Sequence, residues 1–228
     1  MKIAILGAME AEITPILTAV DKYEVTEYAN NKYYFSQYAG HELILAYSKI
    51  GKVFSALSAT IMIERFGAQM LLFSGVAGGA ATDIQVGDLV VATQTAQHDI
   101  DISAFGRKRG EIPGNEVFIS TCDNLKTKLE QVAQMLSIEL KQGIIVTGDQ
   151  FIHNAQHKID IAKHFGAHAI EMEGASVNLV CRELSTPCLI LRAISDTADG
   201  QAVDDFPKFV AMAAERSAKL ILSLVESI

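Results

Sequence analysis

Residues 187–196 run from Cys188-Leu189-Ile190-Leu191 into Arg192-Ala193-Ile194-Ser195-Asp196 without a turn signal. A short apolar run opened by proline and rich in branched side chains reads as a strand buried on both faces, and such strands belong to α/β sheets covered by helices. In such sheets ligands gather beyond the carboxyl ends of the strands. Arg192, Ser195 and Asp196 therefore stand where chemistry is expected. Arg192, set between Leu191 and Ala193, also requires a partner, because an unpaired buried charge is strongly unfavourable. Ser195-Asp196 has a plainer reading as a helix N-cap pair ahead of Thr197.

The rest of the chain alternates strand-like and helix-like segments. Strands are predicted at 2–6, 70–73, 88–93, 143–147 and 167–172. Helices are predicted at 52–66, 125–136, 154–165, 175–184 and 206–225, and a further helix after the first strand carries Pro15 near its start. Residues 32–38 and 42–48 flank Ala39-Gly40-His41 as a hairpin, which makes the sheet mixed. With no internal repeat, linker or charge block, one α/β domain over residues 1–228 is expected.

Composition excludes several classes of function. Half of the 228 residues are apolar, too many for a disordered chain. The net charge of −8, from 27 acidic and 19 basic residues with no Lys/Arg cluster, argues against a nucleic-acid surface and for a small-molecule ligand. Cys122, Cys181 and Cys188 are odd in number and lack CxxC spacing, which suits a reducing cytoplasm. The apolar run at the N-terminus is too short for a signal peptide, and no span approaches the roughly 20 apolar residues of a membrane helix.

Most candidate chemistry falls at strand exits. Gly7-Ala8-Met9-Glu10-Ala11-Glu12 lacks the further glycines of a dinucleotide fingerprint, and Glu12 near a helix start is favoured by the macrodipole in any case. Ser74-Gly75-Val76-Ala77-Gly78-Gly79-Ala80 lacks the Lys-Ser/Thr of a P-loop and reads by default as a tight loop. In Glu171-Met172-Glu173 a regular strand would put both carboxylates on one face, each needing a partner such as a sugar hydroxyl, an Arg or a metal. Equally, Glu173 could face solvent or cap the following helix. His153 and His157 are spaced i, i+4 but lack the glutamate of a zinc protease, and His98-Asp99-Ile100-Asp101 also fits a half-exposed strand, so no metal is expected. There is no Gly-x-Ser-x-Gly elbow and no recognisable cysteine nucleophile, which disfavours covalent catalysis.

Taken in order, Gly7-Ala8-Met9-Glu10-Ala11-Glu12, Gly51-Lys52-Val53, Gly75-Val76-Ala77-Gly78-Gly79, Val86-Gly87-Asp88, Gly148-Asp149-Gln150-Phe151-Ile152, Glu171-Met172-Glu173 and Arg192-Ala193-Ile194-Ser195-Asp196 resemble the bacterial 5′-methylthioadenosine/S-adenosylhomocysteine nucleosidases. The resemblance implies a nucleoside phosphorylase-like fold, a mixed sheet partly closed into a barrel and flanked by helices. It also implies cytoplasmic hydrolysis of the adenine–ribose bond in methionine salvage, without a cofactor.

Carried onto this chain, the resemblance makes Asp196 the acid that protonates adenine N7, oriented by Ser195 and holding its proton in a water-poor pocket. Glu12 activates the attacking water, supported by Arg192. Glu173 accepts from ribose hydroxyls and Met172 packs on the sugar, which requires the strand to bend before Gly174. Phe151 stacks on adenine, the Ile152 backbone reads its edge, and Phe206 closes over the substrate. Many relatives have serine where Val76 stands, and valine cannot hold a water. A homodimer is implied, in which Ile102, Phe105 and Pro113 of one subunit line the 5′ pocket of the other; alternatively Phe105 tucks into its own subunit.

Two other functions compete with hydrolysis. A phosphorylase would bring anionic phosphate against Glu12 with no compensating arginine from the loops near Gly7 and Gly75. A nucleoside-binding module would use the same pocket without turnover.

Overall fold

The computed structural model of the protein describes residues 1–196 and 206–228, the side chains of 206–208 excepted. β1 (Lys2–Gly7) leads into α1 (Glu10–Val20), followed by β2 (Glu24–Tyr28), β3 (Asn31–Tyr38), β4 (His41–Tyr47) and α2 (Lys52–Thr60). Next come β5 (Met70–Gly79), β6 (Leu89–Gln97), β7 (Ile119–Ser120), α3 (Asp123–Met135) and β8 (Leu140–Thr147). The chain continues through α4 (Ala155–Phe165), β9 (Ala167–Glu171), α5 (Gly174–Glu183), β10 (Cys188–Asp196) and α6 (Phe206–Ser227).

The strands form one mixed sheet in the order β10-β6-β8-β9-β5-β1-β4-β3-β2, with β7 on β6. Because β10 also pairs with β5, the strands β10, β6, β8, β9 and β5 close into a barrel, as the expected fold requires. The remaining strands extend from β5 as an open wing. Closure leaves the barrel strands without free edges.

Strand alternation divides the core. Ile3 and Ile5 face one apolar cluster while Ala4 and Leu6 face another, and β10 does the same with Leu189 and Leu191 against Ile190. All nine residues of β10 are buried, as its composition predicted. The helix α6 packs against α1, β10 and β5 and covers the first cluster.

Several expectations change. Residues 74–79, predicted as a loop, continue β5: they pair in parallel with β10 on one side and antiparallel with β9 on the other. Glycine hid this strand, because its residues carry few side chains from which an apolar period could be read. The exposed strand β2 was not predicted either, since all five of its residues face solvent and give no hydrophobic alternation. Pro15 lies inside α1 beyond its first turn rather than near its start. The predicted helix at 52–66 is α2 continued by a π-helical turn over Ile61–Arg65.

Candidate active site

Glu12 enters the site from the first turn of α1. Its Oε2 accepts from the backbone N–H groups of Ala8 at 2.7 Å and Met9 at 2.9 Å, and its Oε1 accepts from the N–H of Val76 at 2.9 Å. A carboxylate at a helix start satisfies orphan N–H donors, so the plain helix-capping reading also holds here. Only 4% exposed, Glu12 has its carboxyl pushed up by burial, against the opposing pull of Arg192 and the three N–H donors. Raised proton affinity is what a general base requires. Val76 contributes its backbone rather than a hydroxyl.

Arg192 finds its partner in Glu171, a residue to which no role was assigned from the sequence. Nη2 and Nε donate to Glu171 Oε2 at 2.6 and 3.2 Å, and the guanidinium lies over the Phe73 ring, 4.1 Å from its centroid. Glu171 also accepts from the N–H groups of Glu173 and Gly174 and from the Thr147 hydroxyl. Gly75 separates Arg192 from Glu12: a Cβ there would lie 2.8 Å from Arg192 Nη1 and 2.7 Å from Glu12 Oε1. A glycine strand is thus what lets the acidic and basic side chains share the wall.

Glu171 and Glu173 do not belong to one regular strand. The backbone turns at Glu173, with φ −139° and ψ −39°, where the strand ends and α5 begins. This is the bend required ahead of Gly174. Glu173 occupies the N-cap position but makes no side-chain cap bond; instead its Oε1 accepts from the Gly51 N–H at 2.8 Å. Burial, then the charge of Glu171, pushes its carboxyl up to about 8.

Asp196 closes the other end. The ladder between β10 and β5 shifts register between Ile194 and Asp196, a local bulge of the kind that re-aims side chains. The Ser195 hydroxyl donates to Asp196 Oδ1 at 3.0 Å, and Lys158 Nζ donates to Oδ2 at 3.0 Å. The surroundings of Asp196 are not purely apolar: a lysine from α4 stands against its carboxyl group. Lys158 carries no motif, but its i, i+3, i+7 spacing with buried Ile161 and Phe165 puts it on the inward face of α4, a signal that could have found it.

These groups converge on one cavity of about 410 Å³. Glu12, Val76, Met172 and Glu173 line it together with Phe151, Ser195 and Asp196. Ile152 lies in an adjoining recess of about 30 Å³ with Phe151, Lys158 and Asp196. Arg192 stands behind the wall. Ile102, Phe105 and Pro113 do not line the cavity of their own chain; Phe105, on a 3₁₀ turn, is 84% exposed and not tucked into its subunit. The side chain of Phe206 lies outside the described residues. Among the described residues no group of three His, Cys, Asp or Glu is arranged to hold a metal ion, and no helix is long and apolar enough to cross a membrane.

A closed mixed barrel with an acid–base cavity at its strand ends defines a nucleoside-cleaving α/β enzyme. Residues 2–226 match the phosphorylase superfamily, and the chain belongs to that family. Within it the chain stands among the nucleosidases, which hydrolyse the N-glycosidic bond.

It is 54% identical to the aminodeoxyfutalosine nucleosidase of Campylobacter jejuni, over the whole length of both. It is also similar to the crystal structure of a Campylobacter jejuni 5′-methylthioadenosine/S-adenosylhomocysteine nucleosidase, with a TM-score of 0.97 and 54% identity over all of both chains. A Helicobacter pylori nucleosidase mutant with 5′-methylthioadenosine in its active site superimposes with a TM-score of 0.97 at 45% identity, covering 100% of this chain and 99% of that one.

Proposed function

We propose that this protein releases adenine by hydrolysis from nucleosides whose ribose lacks the 5′ hydroxyl. The substrates are 5′-methylthioadenosine, S-adenosylhomocysteine and 5′-deoxyadenosine, from the motif resemblance, and aminodeoxyfutalosine, from the name of the curated relative. The observation that carries the reading is that Glu12 and Asp196, far apart in the chain, line a single cavity.

In the proposed reaction the base lies against Phe151 and Ile152, and the base end of the site, at Asp196, protonates N7 so that a neutral purine departs. The ribose lies along Met172 and Glu173: Glu173 accepts from its hydroxyls, and Met172 packs against the sugar and its developing oxocarbenium charge. Glu12 takes the proton of the water that attacks C1′. An acid, a base and stabilisation of a cationic sugar are the requirements of a dissociative glycoside hydrolysis.

Phosphate is disfavoured as the nucleophile. It would meet Glu12, and the guanidinium of Arg192 is engaged by Glu171. The 5′ substituent is proposed to be completed by Ile102, Phe105 and Pro113 of a second copy in a homodimer. Unpaired Cys122, Cys181 and Cys188 support a reducing, cytoplasmic setting.

The test is adenine release in phosphate-free buffer from 5′-methylthioadenosine, S-adenosylhomocysteine, aminodeoxyfutalosine, adenosine and inosine. Faster turnover of the 5′-substituted adenine nucleosides than of adenosine or inosine is expected. Strict dependence on added phosphate, or equal rates on inosine, would reject the reading.

A further inference from the structure

Lys158 projects from α4 into the protein interior, 3% exposed, while its neighbours His157 and Asp160 face solvent. Lysine is almost never buried to this extent unless it is paired, because its ammonium is strongly hydrated. Its Nζ lies 3.0 Å from Asp196 Oδ2, and 3.3 Å from where a Cβ on Gly78 would stand. With Phe151, Ile152 and Asp196 it lines the recess that adjoins the main cavity. The ammonium therefore sits at the wall assigned above to the base.

We infer that Lys158 is the proton reservoir for the departing base and that Asp196 is the conduit. The inference rests on the nucleosidase reading. In this scheme the resting pair is an ammonium and a carboxylate 3.0 Å apart, the ordinary form of a lysine–carboxylate contact, and Asp196 draws the proton it passes on from Lys158. As the C1′–N9 bond breaks, its electron pair moves into the purine and N7 becomes basic. N7 takes a proton through Asp196, which is replenished from Lys158 Nζ, leaving a neutral amine. The attacking water forms the C1′–O bond and gives its proton to Glu12. After product release Glu12 loses that proton to solvent and Lys158 regains one, so the net change is one water added across one C–N bond.

Other titratable groups among the described residues stand near the pair. Glu171 at the end of β9 lines the same recess but is held by Arg192 of β10. Glu12 and Glu173 line the main cavity and not the recess. His98, after β6, is buried, and its imidazole is held below its ordinary range chiefly by burial, with Arg109 and His157 adding to that effect and Asp99 and Glu171 opposing it. The Ser195 hydroxyl donates to the other oxygen of Asp196.

The experiment follows kcat against pH for adenine release from 5′-methylthioadenosine by the wild type, Lys158→Met and Lys158→Arg. A carboxylic acid surrenders its proton at lower pH than a lysine. Lys158→Met is therefore expected to lose about tenfold or more in kcat at neutral pH, with its alkaline limb moved to lower pH. Arginine keeps the charge but does not release a proton, so Lys158→Arg should keep KM near that of the wild type and remain about tenfold or more down in kcat.

Restoration of wild-type kcat by arginine would reduce Lys158 to a positioning charge and overturn the inference. Superimposable pH profiles for the wild type and Lys158→Met would do the same. Should both variants fail to fold, the wild-type profile decides: kcat must persist above the range where carboxylic acids ionise, and its loss within that range overturns the inference. A wild type that releases no adenine defeats the nucleosidase reading itself, which keeps the two failures distinct.

Discussion

Arg192 Nη2 and Glu171 Oε2 meet 2.6 Å apart inside the wall of the cavity, with side chains 1% and 2% exposed. The pair lets a strand buried on both faces carry a guanidinium to within electrostatic reach of Glu12. Arg192 thereby tempers the raised proton affinity that burial imposes on that carboxyl.

Breaking this pair from one side leaves an uncompensated buried charge. Arg192→Met is expected to destabilise the protein by about 3–5 kcal/mol in urea unfolding, and Glu171→Gln added to it should recover part of the loss. An unchanged unfolding midpoint for Arg192→Met would show that the pair contributes nothing to the fold.

Gly75 leaves room for Glu12 and Arg192 on either side of it. Gly75→Ala should displace the Glu12 carboxylate and lower kcat by about 100-fold, the scale of loss that follows a 1 Å misplacement of a reacting group. Steady-state kinetics measure this, and wild-type turnover in the alanine variant would contradict the contact.

Glu12→Gln keeps the shape of the side chain and can still accept from the Val76 N–H, but it cannot take a proton from water. Its kcat should fall by about 10²–10⁴-fold with nucleoside affinity retained in calorimetry. Asp196→Asn should behave alike at the base end. Undiminished turnover in either variant removes that residue from the mechanism.

Glu173 is held at about 8 by burial and by the charge of Glu171. Because the folded protein keeps a proton that the unfolded chain gives up near 4.5, this group's contribution is complete below that pH. It is then lost as pH rises through about 8. Glu173→Gln has no such loss, so its melting temperature should gain on that of the wild type by several degrees between about pH 5 and about pH 8. A difference that stays constant across this window would mean that Glu173 is ionised throughout.

The face around the start of α2 exposes Ile50, Val53, Phe54 and Leu57, with Val53 75% exposed. An apolar patch of this kind fits the proposed homodimer, and sedimentation equilibrium is expected to return twice the 24.7 kDa chain mass. Phe105→Ala should leave the melting temperature nearly unchanged while raising KM for 5′-methylthioadenosine about tenfold, the loss expected for one apolar side chain at a pocket. A KM that does not move would exclude Phe105 from the 5′ pocket.

Strand and helix positions were largely readable wherever an apolar period existed, as in β1, β10 and α3. They were lost where it did not. β2 is solvent-facing on every residue, and the second half of β5 is glycine-rich, so from sequence the strand that carries Val76 and Gly78 reads as a loop. Among the candidate site residues, Glu12, Glu173 and Asp196 drew attention by following strands, but capping explained each equally well and only the motif resemblance gave them roles. Glu171 was visible only as a carboxylate in need of a partner, and Lys158, although spaced with Ile161 and Phe165 on the inward face of α4, has the ordinary surface reading of a lysine.

Local periodicity and turn chemistry settled which segments are strands or helices, and which polar residues stand at their exits, because both depend on near neighbours along the chain. Tertiary structure alone decided the partnerships. Lys158 reaches Asp196 across 38 residues and Arg192 reaches Glu171 across 21, contacts that exist only because β10 pairs with both β5 and β6 and closes the barrel. Desolvation then makes those contacts matter, since a charge inside a closed sheet must be met by another charge or a hydrogen bond.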